Sequence, residues 1–251
     1  MSRQHAPEAD APKPLRIGVL TPSSNTALEP ATCAMVSAVS GCSAHFSRFT
    51  VTEIALSGTA LGQFDDEKIL AAAALLADAR VDVIAWSGTA AGWRGFDTDK
   101  VLVDRIAQRT GIVATTAVLA LNELLERRAI RRLGLVSPYT ADVQQRIVAN
   151  YAAIGVEVVA ERHLDIAVNH DFALVAPSLL RSMLDEVALA GPQAATTFCT
   201  NLHAAALADA FEADTGVALL DTVATTVWGA LRAGGVAPSR VRGWGRLFAW
   251  D

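Results

Sequence analysis

Short apolar runs alternate with longer stretches of helical periodicity along the whole chain. The run at 16–20 predicts a buried strand. It ends in Thr21-Pro22-Ser23-Ser24-Asn25-Thr26, a turn rich in residues that cap helices. A helix is expected over 29–37, an alternating strand over 42–51 and an Ala- and Leu-rich helix over 65–79. The strand at 81–86 breaks at Ser87-Gly88-Thr89. Helices over 98–109 and 118–128 flank a strand at 111–115. The pattern then starts again. A strand at 133–136 ends at Ser137-Pro138-Tyr139-Thr140, followed by a helix over 141–154 and a strand over 156–159. The helical pattern over 172–189 has Pro177 either in its first turn or starting a second helix. A strand at 194–198, a helix over 204–213, a strand at 217–220 and a helix over 222–233 complete the series. The tail, 235–251, carries Trp244, Phe248 and Trp250 and is expected to pack back on the body.

Strands separated by helices predict parallel α/β sheets. The recurrence predicts more. Leu20-Thr21-Pro22-Ser23-Ser24 answers Val136-Ser137-Pro138-Tyr139-Thr140, and Ala85 to Thr89 answers Thr197 to Thr200. Gly111 to Thr115 answers Gly216 to Leu220, the partners lying about 105 to 116 residues apart. The expected fold is therefore two pseudo-symmetric Rossmann-like (flavodoxin-like) α/β halves with a cleft between them. Residues 15–116, with part of 222–251, form the first half and 117–221 the second. Residues 1–14 form a flexible polar tail. Ligands in open α/β sheets bind beyond the C-terminal strand ends. That places Ser23, Ser24, Asn25, Gly88, Thr89, Tyr139, Thr140, Cys199, Thr200 and Asn201 around one cleft, although helix capping accounts for any one of these turns taken singly.

Cys199 is the chemically distinctive member. It ends the strand 194–198, and the chain is expected to turn at once into a helix. A helix N-terminus offers free N–H groups and partial positive charge, which favour a thiolate and a bound carboxylate. The plainer reading is a buried cysteine acting as a small hydrophobe. Asp221 is expected to cap the helix from Thr222, His203 to be solvated or capping, and Trp86 and Trp93 to be core residues. His163 and His170 have no assigned role.

Composition narrows the function classes. The formal charge of −5, with no basic stripe, argues against nucleic acid. The three cysteines, Cys33, Cys42 and Cys199, form no close pair and indicate a reducing, cytoplasmic setting. Neither a CxxC motif nor a Cys/His cluster supports a metal. No apolar run is long enough to cross a membrane, and the N-terminus has no signal-like apolar stretch. The chain leaves room for a homodimer without indicating its interface.

Pro22-Ser23-Ser24-Asn25, Pro138-Tyr139 and Cys199-Thr200-Asn201-Leu202, in this order on two α/β repeats, resemble the aspartate/glutamate racemase superfamily. The similar branch holds maleate cis–trans isomerase, arylmalonate decarboxylase and the EutA-type proteins of ectoine utilisation. The resemblance spans about 16–248. It implies chemistry at a carbon next to a carboxylate, without cofactor, on a small carboxylate or dicarboxylate. Members typically carry a cysteine in each half. Here the first position falls at Gly88, and neither a two-base racemase nor a thiol nucleophile can be built from glycine, Ser87 or Thr89.

Arylmalonate decarboxylase also carries Gly-Thr at that point. On its pattern Cys199 is the general acid, while Thr89, Tyr139 and the N–H groups near Thr200 form an oxyanion pocket. Ser24, Asn25 and Asn169 bind the substrate carboxylates beside Gly88, and Ala90, Ala91 and Trp93 shape an apolar slot. Ala90 departs from that enzyme, which has a second hydroxyl after Gly-Thr. Three readings stay open: a malonate decarboxylase, an isomerase or racemase, and an EutA-like protein without two-base activity. A thiol restored by Gly88→Cys is expected to create two-base chemistry if the geometry survives.

Overall fold

The apolar runs become strands of two separate sheets in a computed structural model that describes residues 14–58, 62–64 and 66–250. The expected flexible tail, Pro14 apart, lies outside the described residues. The first sheet has the order β2-β1-β3-β4, with β1 (Leu15–Pro22), β2 (Cys42–Phe49), β3 (Val83–Trp86) and β4 (Val113–Thr116). The second repeats it as β6-β5-β7-β8, with β5 (Arg132–Ser137), β6 (Glu157–His163), β7 (Ala194–Thr197) and β8 (Ala218–Leu219). Every pairing is parallel. β3 and β7 are buried throughout, as suits central strands covered on both faces. The edge strands β2 and β6 are half-buried.

Helices fill the connections: α1 (Leu28–Ser37), α2 (Asp66–Asp78), α3 (Ala91–Arg94), α4 (Asp97–Thr110), α5 (Ala117–Arg127), α6 (Ala141–Ala153), α7 (Pro177–Ala188), α8 (Ala208–Thr215) and α9 (Thr222–Ala233). Pro177 settles into the first turn of α7, where its missing N–H costs nothing, and the residues before it form a 3₁₀ turn, Asn169–Leu174. α9 returns to the first half and packs on α1, α5, β3 and β4. The tail packs back as expected: Leu247 and Phe248 are buried, and Trp228 Nε1 donates to the Trp250 carbonyl at 3.2 Å.

One expected element differs. The helix expected over 204–213 begins only at Ala208, after a 3₁₀ turn at Ala205–Leu207. Cys199 therefore runs into an irregular turn over 200–204, not into a helix. The turn is irregular because Asn201 reaches across the cleft instead of capping its own chain.

Sheet register makes the repeat explicit. Leu20 pairs with Trp86 across β1 and β3, and Val136 pairs with Thr197 across β5 and β7. Superposing Leu20 on Val136, as the motifs do, puts Trp86 on Thr197 and Gly88 on Cys199. Likewise Ile84 pairs with Ala114, and Ala195 with Leu219. That puts Thr116 on Asp221. Both cap the helix that follows: Thr116 accepts from Leu119 N–H, and Asp221 from the N–H groups of Val223 and Ala224.

Polar links hold the halves together at the cleft. Asn201 Oδ1 accepts from the N–H groups of Thr26 at 2.9 Å and Ala27 at 3.2 Å, and its Nδ2 donates to the Asn169 carbonyl at 2.6 Å. Asn25 Nδ2 donates to Thr200 Oγ1 at 3.2 Å, and Thr200 donates on to the Ser87 carbonyl at 3.0 Å. Asn25 Oδ1 accepts from Ala27 and Leu28 N–H at the start of α1. Both asparagines are 1% exposed. A short antiparallel bridge between Glu53 and Val168 adds backbone hydrogen bonds beside them.

Asn201→Leu would keep the side-chain volume but strip partners from the Thr26 N–H and the Asn169 carbonyl. Each buried group left unpaired costs about 1–3 kcal/mol. The expected fall in Tm is about 5–15 °C for a chain of this size. A thermal melt beside the surface control Gln145→Leu measures it, and a Tm equal to the control's would remove the clasp from the list of stabilising features.

Candidate active site

Cys199 lies just past the C-terminal end of β7 and is 3% exposed. One donor reaches its sulfur, the Asn201 N–H, at 3.4 Å. Tyr139 lines the same cavity, with its hydroxyl 2.6 Å from Thr89 Oγ1, so Thr89, Tyr139 and Cys199 are buried protic groups gathered from the two halves. Burial pushes the thiol up to about 12, and the nearby Asp221 charge acts in the same direction. The hydrogen bond to sulfur opposes this and loses. Asp221 is itself pushed up to about 6 by burial, while bonds from Thr197 Oγ1 and two N–H groups pull the other way. Burial also raises Tyr139 well above the usual phenol range. The expectation that a helix N-terminus favours a thiolate at Cys199 is therefore corrected. The next helix in the chain starts only at Ala208, one N–H faces the sulfur, and desolvation dominates.

The opposite face is closed by an aromatic ring. A Cβ at residue 88 would fall on the Trp86 indole, well inside the 3.0 Å that real Cβ atoms keep from their neighbours. Gly88 is thus required by close approach: the side chain of the last residue of β3 occupies the volume that a side chain at 88 would need. Phe49 packs on the far side of that indole, with ring centroids 5.0 Å apart. In the second half the matching position is Thr197, which turns its hydroxyl to Asp221 and leaves the volume for Cys199.

Between these faces lies a cavity of about 20 Å³, room for roughly one water molecule. Gly88, Thr89, Tyr139, Asn169, Cys199 and Thr200 all line it, as the sequence led us to expect. Ala90 and Trp93 line it too, while Ala91 is buried behind them. Ser24 and Asn25 are not in its wall. Ser24 Oγ donates to the Val51 carbonyl at 2.6 Å and accepts from Asn169 Nδ2 at 2.7 Å, and Asn25 is engaged in the clasp. Their place is taken by Pro22, Val51, Ile54, Phe64 and Trp86, so most of the wall is apolar and, among the described residues, none of it is Lys, Arg or His.

Val51, Ile54 and Phe64 went unnoticed in the sequence: Val51 was read only as the end of an alternating strand, and Ile54 and Phe64 lie in the connection before α2, where no pattern marks them. Trp86 carried a signal: a bulky ring two residues before a glycine at a strand end. His203 is exposed, His170 is exposed, and His163 Nδ1 pairs with Glu161 at 2.9 Å, all outside the cavity wall. Among the described residues no group of three or more His, Cys, Asp or Glu could hold a metal, and no helix is long and apolar enough to cross a membrane.

A thiol held near 12 stays protonated through the neutral range, because a raised pKa leaves the thiolate a small minority below it. Alkylation of Cys199 by iodoacetamide, followed by peptide mass spectrometry, is expected to be slower than that of exposed Cys33 at pH 7.5 and still rising at pH 10. A Cys199 rate that levels off below pH 9 would contradict the burial argument.

A sequence-family model described as arylmalonate decarboxylase matches residues 18–248. No curated protein sequence matches the chain. Among solved structures, a cysteine-to-alanine variant of the Pseudomonas putida maleate isomerase with maleate is 24% identical, with a TM-score of 0.87, covering 95% of this chain and 99% of that one. A cysteine-to-serine mutant of the Nocardia farcinica maleate cis–trans isomerase, with a covalently bound succinylcysteine intermediate, is 22% identical, with a TM-score of 0.85 over 94% of this chain and 99% of that one. A glycine-to-cysteine, cysteine-to-serine double mutant of arylmalonate decarboxylase in the liganded form is 21% identical, with a TM-score of 0.83 over 95% of this chain and all (100%) of that one. At these identities the structural likeness is one of fold. The family match spans nearly the whole chain, and the chain belongs to the arylmalonate decarboxylase family.

Proposed function

We propose that the protein is a cofactor-independent decarboxylase of a substituted malonate, with Cys199 as its single proton donor. The observation that carries this reading is the Trp86 indole filling the side-chain volume of Gly88. One face of the cavity bears a protonated thiol, and the other bears a ring that can neither take nor give a proton. Two-base racemisation needs a group on each face, and the isomerase route needs a nucleophile in place of the ring. One-sided proton delivery needs only what is present.

The proposed sequence starts with a malonate dianion whose retained carboxylate faces Thr89, Tyr139 and Cys199. Its second carboxylate then lies against apolar wall such as Val51, Ile54 and Phe64, where no cation among the described residues offsets its desolvation. Cleavage of the carbon–carbon bond releases carbon dioxide and leaves the bonding pair on the retained fragment as an enediolate. The Cys199 S–H bond then breaks, and its proton forms the new C–H bond. The thiolate so produced keeps the Asn201 N–H as a donor and is reprotonated from solvent. A cavity sized for one water means that an apolar wall moves outward when substrate enters. The maleate bound to the Pseudomonas isomerase supports a small carboxylate as the ligand class.

Proton NMR in deuterated buffer tests this with methylmalonate, phenylmalonate and methylphenylmalonate, with maleate, aspartate and glutamate alongside. Monoacid carrying one deuterium at the α-carbon is expected from a malonate, with a loss of about 10²-fold or more in Cys199→Ala. Fumarate from maleate, with the malonates untouched, would replace this reading by the isomerase one. Silence across the panel from folded protein would favour an EutA-like role.

The ring also revises what Gly88→Cys can do. Alone it is expected to give no racemisation of the monoacid product and a lower Tm, since the new side chain collides with the indole. Trp86→Ala combined with Gly88→Cys is expected to create racemisation, read as loss of optical activity with deuterium uptake. Racemisation by the single variant would mean that the ring yields easily and would undo the one-face assignment.

A further inference from the structure

Trp93 is 5% exposed and lines the Cys199 cavity, and its Nε1–H is buried with no hydrogen-bond partner. Among the described residues Thr32 Oγ1, Asn122 Oδ1 and Tyr151 Oη are also buried and unpartnered, but none of those residues lines this cavity. The indole N–H is a donor only, so its missing partner is an acceptor. Trp228 shows the ordinary arrangement, with its N–H on a backbone carbonyl. A buried donor without a partner is destabilising, and phenylalanine would fill an apolar wall without that penalty.

The position is tightly held. Asn150 Nδ2 donates to the Gly92 carbonyl at 2.8 Å, seating α3 on α6. Gly92 has no room for a Cβ because Phe198 packs directly on it. The Trp93 ring is wedged between Phe64, at 6.0 Å, and Tyr139, at 5.1 Å, edge to face with both. The neighbouring polar groups are engaged. Thr200 Oγ1 lies between Asn25 and the Ser87 carbonyl, Asn169 Nδ2 donates to Ser24, and Thr89 bonds Tyr139. An acceptor entering this cavity, which has no cation among the described residues of its wall, meets the indole N–H as a donor with nothing to give up.

We propose that Trp93 Nε1–H is a substrate-binding donor that takes an oxygen of the retained carboxylate. The donor strengthens its bond as charge gathers on that oxygen in the enediolate, and being neutral it leaves the departing carboxylate undamped. The identity of the acid rests on the decarboxylase reading; the need for a hydrogen-bond acceptor does not.

The test is a titration of protein labelled with ¹⁵N in its tryptophan indoles, with methylmalonate, phenylmalonate and maleate in turn. Trp93→Phe assigns the Trp93 signal. Should that variant not fold, through-space contacts to the Phe64 and Tyr139 rings assign it in the wild type. Saturable downfield movement of the Trp93 indole proton is expected with at least one acid. Trp93→Phe is expected to bind that acid about tenfold or more weaker, with kcat/KM falling at least as far. An indole signal that no acid moves, as for an N–H resting on the Tyr139 ring face, overturns the proposal, and so does unchanged affinity in Trp93→Phe. Carbon dioxide release separates the two readings. Movement without release keeps the donor and removes the decarboxylase, whereas release without movement keeps the decarboxylase and removes the donor.

Discussion

Two buried asparagines set the distance across which this protein can do chemistry. Each sheet pairs its own strands, and the two are stitched at the cleft by Asn201 reaching to Thr26 and Ala27, and by Asn25 and the Ser87 carbonyl meeting Thr200. Primary amides removed from water must find partners for both ends, and few geometries provide them. The clasp therefore holds the turn after β3 against the turn after β7, and everything between Gly88 and Cys199 inherits that spacing. The same bonds take Asn25 and Thr200 Oγ1 out of the pool of free ligands for substrate. A side chain that braces a site from behind is poorly placed to bind within it.

On this near-symmetric frame the two halves are filled differently. The register places Trp86 opposite Thr197 and Gly88 opposite Cys199, so a large residue and then none stands in one half where a small residue and then a thiol stands in the other. The chemical effect of this exchange is large, because an indole ring now faces a thiol. On the proposed reading, one face of a bound carbon is given over to packing and the other to proton transfer.

Most of the fold was legible because it depends on local pattern. Continuous apolar runs in β1, β3, β5 and β7 reflect burial on both faces, and the recurring Leu20-Thr21-Pro22 and Val136-Ser137-Pro138 segments disclosed the repeat. Cys199, Thr89 and Tyr139 could be placed at one cleft because strand ends converge in such folds, and Asn169 joined them through the family resemblance. What was not legible depends on contacts between segments far apart in the chain. Periodicity could not reveal that Asn201 would leave its own turn uncapped in favour of Thr26, and so delay α8 to Ala208. Of the apolar wall, Val51 read only as a strand end, and Ile54 and Phe64 lie in the connection before α2, where no pattern marks them. Whether Gly88 was a deletion or a fitted gap depended on where the Trp86 ring went, which only packing decides.

The thiol follows from these constraints. Burial at the end of β7 removes Cys199 from water, and Asp221 beneath it, needed to start α9, adds negative charge. Both act against a thiolate, so a nucleophile or base at this position would work against its surroundings. An acid would not: a proton held tightly by sulfur is still surrendered to an enediolate, which is far more basic. The N–H of Asn201, too weak to ionise the resting thiol, already points at the sulfur on which charge would appear once the proton has gone. A small, mostly apolar cavity with no cation among the described residues of its wall, an indole in that wall and a backbone N–H on its one sulfur, suits the one-sided proton delivery proposed above.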